Sequence, residues 1–310
     1  MTAPFGSASP VPATQASSVE SEAGVVATAP SPTRIAQLRQ MLSNGPILFA
    51  LLILGAIVFI AVFAPFLGTV DPVMINPAER LGRASADHWL GTDAFGRDTY
   101  SRILYGARIS LIVGIGAAVA SAAIGMLIGV VAGYFRMADA IIMRVVDGVM
   151  AIPGILLAIA LVSLTGSSLM TVLVAITIPE IPRVVRLVRG VILTVRTEPY
   201  VEAALSLGTR VPTLLWRHMV PNTLAPLIVL GTYIFAAAVL TEATLSFLGV
   251  GLPPEIPSWG NMMAEGRMYF QLRPGLIMFP GVFLALTLLS VNVLGDAMRD
   301  ALDPRMVRKL

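Results

Sequence analysis

EAALSLGTRVPTLLWRHMVP, residues 202 to 221, decides how the chain is read. It is a polar, proline-punctuated segment set between two strongly hydrophobic regions. Pro199 just ahead of it suits a first helical turn, and Gly208 suits a left-handed C-cap. Thr197 or Glu198 is placed to cap the N-terminus. The spacing predicts one short helix between long apolar ones. Two readings of that helix follow from the residues: a docking element on a membrane protein, or an ordinary amphipathic helix lying at a membrane interface.

Composition points to the membrane. Hydrophobic residues make up 56% of the 310 and charged residues 13%, about half the charge of an average soluble domain. A span needs about 20 apolar residues, and uncharged runs of that kind occur at Pro46 to Leu67, Ile109 to Phe135 and Pro274 to Gly295. The run from Gly148 to Pro179 is 32 residues long, too long for one upright span, and Thr165-Gly166-Ser167-Ser168 interrupts it. It reads as a helical hairpin. Its first arm is expected to start near Asp139 and to carry Arg144 and Asp147 as an i,i+3 pair; its second runs through Glu180 towards Arg189. A sixth helix, from Thr223 to about Leu248, contains Glu242. The expected fold is all-α: a polytopic bundle of six transmembrane helices.

Six spans place both termini on one side, and that side holds 14 of the 21 basic residues against 7 on the other. The positive-inside rule then makes the termini and the 183–221 loop cytoplasmic. The first 33 residues include 22 Ala, Ser, Pro or Thr, too few apolar groups to bury a core. Residues 1–40 are expected as a disordered cytoplasmic tail, 41–106 as the first span and an outer loop, and 107–310 as a five-helix core with the short-helix loop at 197–221. No positive n-region runs directly into an apolar stretch, so a cleaved signal peptide is not expected.

Several chemistries are excluded. There is no cysteine, hence no disulfide, thiol catalysis or thiolate metal site. The single lysine, Lys309, lies at the C-terminus, so no Walker A loop can be built and ATP hydrolysis would have to come from a partner. His88 and His218 fall outside the apolar runs and form no HExxH motif. A formal charge of +3 needs only topology to explain it, and gives no case for nucleic acid. No metal site is expected.

The remaining marked residues have bland and specific readings. Gly125, Gly129 and Gly133, with Ala117 and Ser121, form a stripe of small residues that permits close helix approach; packing within the chain is favoured over a subunit interface. Pro153, Pro226 and Pro280 are expected to kink their spans. Glu242 either accepts structural hydrogen bonds near the outer end of its helix, where water reaches it, or lines a translocation path. Asp98 is expected to cap a helix beginning at Thr99, with Ile103, Leu104 and Tyr105 against the membrane surface.

Five stretches together carry a resemblance. EAALSLG at 202–208, with Gly208 four residues after Ala204 and Pro221 thirteen further on, resembles the EAA loop of bacterial ATP-binding-cassette importers. HWLGTDAFGRDTYSRILYGARISL at 88–111, AGYFRMADAIIMRVVDGVMAIP at 132–153, EATLSFLGVGLPPEIPSWGNM at 242–262 and LGDAMRDALDPR at 294–305 are similar to the C-type permease subunit of dipeptide and oligopeptide ABC importers. His218 and Val220 depart from the general EAA pattern; Arg217-His218 before Pro221-Asn222 resembles the peptide branch.

The resemblance implies the type I ABC importer permease fold with a cytoplasmic coupling helix, and a transporter subunit rather than an enzyme. It implies half of a translocation pathway for di- or oligopeptides in a bacterial plasma (inner) membrane. The implied partners are a B-type permease, two ATPase subunits that bind ATP and Mg, an extracytoplasmic binding protein and membrane lipids; the chain itself would hold no cofactor. Glu202, Ala203, Ala204, Leu207, Gly208, Arg217, His218 and Pro221 would couple it to the ATPase, Glu202 by a polar contact and the two alanines by close packing. Apart from the resemblance, the charges of the outer segments 88–105 and 250–270 nearly cancel, which suits pairing with a protein surface; Arg97, Asp98, Glu255 and Arg267 are the expected docking charges for the binding protein, the alternative being plain solvation of exposed loops. The alternatives are the same architecture carrying haem, nickel or another small solute, and a non-transporting scaffold or channel.

Overall fold

The computed structural model describes residues 44–302. The expected tail over 1–40, and Arg305, Arg308 and Lys309, lie outside the described residues.

The chain runs through α1 (Gly45–Phe63), α2 (Thr99–Tyr134), α3 (Arg136–Met150), α4 (Gly154–Thr165), α5 (Leu169–Val195), α6 (Pro199–Ser206), α7 (Val211–Phe247), α8 (Trp259–Gly266) and α9 (Gly275–Leu302). A 3-10 turn, Ala64–Phe66, extends α1, and a π turn, Leu215–Met219, lies inside α7. Among the described residues the elements are helical, apart from one isolated bridge between Thr92 and Asp98.

Four helices are long and apolar enough to cross a membrane: α1 with its 3-10 turn, α2, α7 and α9. α3 and α4 make a fifth only as a pair bent by 85°. The expected first arm of the hairpin is therefore two helices, separated at Pro153, which lacks the N–H to continue the ladder. Its second arm is α5, whose 27 residues are long enough to span. Glu180, Arg183, Arg186 and Arg189 in its second half take α5 out of the apolar class, so the expected count of six is not reached on apolarity. Pro226 and Pro280, by contrast, lie inside continuous helices.

The small-residue stripe sets the centre. A Cβ added at Gly125, Gly129 or Gly133 would come within 2.5, 2.8 and 2.6 Å of the Cβ atoms of Val184, Val188 and Ile192. The contacts advance four residues at a time on both helices in the same direction, so α2 and α5 pack parallel at close range. The stripe serves packing within the chain. On the other side of α5, Arg189 pairs with Asp139 and Arg186 with Asp147, at 2.6 Å, clipping α3 to α5. Asp147 thus pairs across helices instead of with Arg144. Ile103 and Leu104, expected at the membrane surface, are buried against Ala64 and Met262, because the helix capped by Asp98 continues unbroken into the span.

Candidate functional site

α6 connects the ends of α5 and α7. Pro199 occupies its first turn, and Glu198 precedes it in extended conformation without a side-chain cap. At the other end Gly208 takes φ +77°. The Gly208 N–H donates to Leu205 O at 2.9 Å and the Thr209 N–H to Ala204 O at 3.1 Å, the paired bonds of a Schellman cap. Both ends of this eight-residue helix are fixed by local chemistry.

One face holds α6 to the bundle. Val201 and Ala204 are buried in a cluster with Ile192 and Val195 of α5 and with Leu214, Met219 and Val220 of α7. Each fully buried aliphatic side chain there contributes about 1.5–3 kcal/mol. The opposite face is bare: Glu202, Ala203 and Leu205 are exposed, and Leu207 is 87% exposed. The sequence treated the two alanines alike. Ala204 packs against its own chain, which leaves Ala203 as the small residue on the outward face.

Beyond Gly208 the backbone re-enters α7. Pro221 has no N–H for the carbonyl of Arg217, and the helix widens so that the Val220 N–H donates to Leu215 O, five residues back. The His218 carbonyl accepts from the Asn222 amide at 2.7 Å, and that amide also meets the Tyr200 hydroxyl at 3.1 Å. Arg217 is exposed beside Trp216, which is 55% exposed. Tyr200 was not singled out by the sequence. Its signal is weak: a polar aromatic at the second helical position, eighteen residues from the carbonyl it approaches.

At the far end of the bundle a second polar constellation is closed. Arg97 Nε donates to Asp93 at 2.6 Å and its Nη2 pairs with Glu265; Arg102 lies 3.3 Å from the same carboxylate. Asp98 caps α2 through the Ser101 N–H at 2.7 Å and accepts from the Ser101 hydroxyl at 2.6 Å. Arg97 and Asp98, expected as exposed docking charges, are 4% and 5% exposed. The near-cancelling charges of these segments satisfy one another. Glu255 and Arg267 do remain at the surface, Arg267 donating to Phe247 O at 3.1 Å.

Two groups here have shifted protonation. His88 bridges Asp98 at 2.9 Å and Glu79 at 3.0 Å, and the Asp98 contact, then Glu79, raises its pKa against the opposing effect of burial. Burial pushes the Glu265 carboxyl up, while Arg102 and Arg97 pull it back.

Glu242 is fully buried, so water does not reach it and it lines no open path. Its Oε1 accepts from Ser246 at 2.9 Å and from Ser258, the N-cap of α8, at 2.8 Å. The Trp259 indole, also fully buried, donates to Ile103 O at 3.2 Å. Asn261 donates to the carbonyls of Leu252, Pro253 and Ile256. These bonds tie α8 to α2 and α7.

Residues 121–308 match the model of the family described as binding-protein-dependent transport system inner membrane component. A probable peptide ABC transporter permease of Sinorhizobium fredii is 53% identical over 83% of this chain and 88% of its own length. A dipeptide transport system permease of Alkalihalophilus pseudofirmus is 42% identical, covering 90% and 92%. A glutathione transport system permease of Pectobacterium atrosepticum is also 42% identical, covering 87% and 89%.

Proposed function

The chain belongs to the binding-protein-dependent transport system inner membrane components, and on that premise, which makes it the permease subunit of an ABC importer, we propose that α6 is its coupling helix and a peptide its cargo. Permeases of this kind work with ATPase and substrate-binding partners and carry out no catalysis themselves. A B-type permease as the second subunit, with two ATPases supplying ATP and Mg chemistry, completes the proposed assembly. The 14 to 7 division of basic residues supports a cytoplasmic side for the termini and α6.

The observation that carries the coupling role is the two-sidedness of α6. Val201 and Ala204 anchor it to α5 and α7 together, while Glu202, Ala203, Leu205 and Leu207 face outward. A push on the outward face is transmitted to two long helices at once. Coupling requires contacts that differ between two states, and a capped, anchored helix transmits such a difference without deforming. The outward face offers apolar side chains around one carboxylate, a surface fitted to a groove on a soluble partner, and Trp216 and Arg217 are also exposed at the start of α7.

The peptide assignment rests on the relatives, two of which are named as peptide systems and one as a glutathione system. Glutathione is itself a small peptide, so the three share a cargo chemistry. Glu255 and Arg267 are the charges available for a binding protein at the opposite face.

The test is co-purification. An affinity-tagged chain extracted with its membrane partners is expected to bring down the ATPases, and Leu205→Asp with Leu207→Asp is expected to leave them behind while the second permease still co-elutes. Equal ATPase recovery with the double variant would remove α6 from the contact.

A further inference from the structure

The connection after α1 carries apolar side chains that the transport reading does not use. Gly45–Phe66 is 22 residues, about 33 Å at 1.5 Å per residue, close to the roughly 30 Å thickness of the hydrocarbon core. A segment leaving its end starts at the level of the lipid head groups. This one is held there. The Thr69 hydroxyl donates to Ala64 O at 2.8 Å, the Tyr100 hydroxyl to Leu67 O at 3.0 Å and the Val70 N–H to Ser101 Oγ at 2.9 Å, and Arg102 Nη1 reaches Pro72 O at 3.4 Å.

Strapped against the first turn of α2, the connection turns its large apolar groups outward. Phe66 is 82% exposed, Met74 65% and Ile75 58%. The patch is continuous in both directions. Phe66 meets Phe63 and Phe63 meets Phe59 down the exposed side of α1, with ring centroids 6.4 and 4.6 Å apart. Trp89 packs on Tyr100 at 4.9 Å, next to Leu67, and is itself exposed.

Contiguous apolar surface of this kind is disfavoured in water, and Trp and Tyr are favoured where a bilayer meets water. We infer that residues 66–75, together with Trp89, form an interfacial anchor that lies in the head-group layer of the bilayer and fixes the outer end of α1 against lipid. Continuity with the exposed face of a membrane-spanning helix selects phospholipid as the occupant. The strapping bonds give the anchor a role: they connect the lipid contact to the end of α2 beside the Arg97–Glu265–Arg102 ion pairs, so that end of α2 is referenced to the bilayer. This inference is independent of cargo and of the coupling assignment.

The chain has no cysteine, so single labels in it are unique within the chain once they are combined with cysteine-free partner subunits. Phe66→Cys, Met74→Cys and the exposed loop position Asp87→Cys are each spin-labelled in the full importer, reconstituted in phosphatidylethanolamine–phosphatidylglycerol nanodiscs. Collision with oxygen, which concentrates in lipid, is compared with collision with a water-soluble nickel chelate. The oxygen-to-nickel ratio is expected to be several-fold higher at 66 and 74 than at 87. An equal ratio at all three positions would show a solvated loop and overturn the inference. Shielding of 66 and 74 from both reagents would overturn it too, since a protein partner would then cover the patch.

Discussion

α6 and α8 are both eight-residue helices joining longer ones, and they lie at opposite ends of the bundle. α8 buries Trp259, Gly260, Asn261, Met262 and Gly266, and the charge on its Glu265 is met by two arginines. α6 buries Val201 and Ala204 and leaves Glu202, Leu205 and the C-cap Leu207 outside. One helix finishes the chain's own packing. The other is finished within the chain on one side only, and its free side is the face proposed for contact with the ATPase. Equal length conceals opposite tasks, which side-chain satisfaction reveals.

The sharpest way to break that contrast is through stability. Arg102→Ala removes a guanidinium that is 1% exposed and leaves its carboxylate partners short of charge, a loss of about 3–5 kcal/mol for a buried pair. Glu202→Ala on α6 is expected to cost no more than about 0.5 kcal/mol, as exposed positions do. Thermal unfolding of both variants in nanodiscs checks this. Similar shifts for the two would erase the distinction between closed and open ends.

A middle-sized effect sharpens the α6 side. Tyr200→Phe removes the hydroxyl that meets Asn222 near the π turn, worth about 0.5–1.5 kcal/mol. Unfolding should shift slightly, while hydrogen exchange at the amides of residues 215–220 should rise. Unchanged exchange there would mean that the π turn is held by Pro221 alone.

The smallest expected effect is pH-dependent and belongs to the closed end. His88 has a raised pKa, so its contribution is fully present below the ordinary imidazole value and is lost as pH rises through the raised one. The stability difference between the native chain and His88→Gln should therefore be largest in mild acid and shrink above neutrality. A difference that grows with pH would contradict the bridge to Asp98 and Glu79.

Local chemistry was legible in the sequence, whereas chemistry between distant residues was not. Pro199 and Gly208 bracket a helix by their own backbone preferences, and the structure ends α6 accordingly. Asp98 announces the start of α2 for the same reason, and Gly166 turns the hairpin at φ +87°. The ion pairs between Arg97 and Glu265 join residues 168 apart, and no periodicity links them. The same charges were read as exposed because each lies in a polar loop. Asp147 was paired with Arg144 by helical spacing, yet α3, turned 85° from α4, offers it to Arg186. Pro153 and Pro226 both sit in apolar runs and only Pro153 breaks its helix; the Gly154 that follows it is the local difference, since Pro226 lies between Ala225 and Leu227. Ala203 and Ala204 differ in which face they occupy, which depends on how α6 docks against α5 and α7.

On the proposed reading, the outward face of α6 transmits work without contributing to the fold. The most direct test is uptake of a dipeptide by proteoliposomes holding the full importer, measured for Glu202→Ala alongside receptor-stimulated ATP hydrolysis and thermal unfolding. The account predicts at least a tenfold loss of uptake, about 1.4 kcal/mol or more of lost coupling, with an unchanged melting temperature. Native uptake and native receptor stimulation in that variant would contradict it.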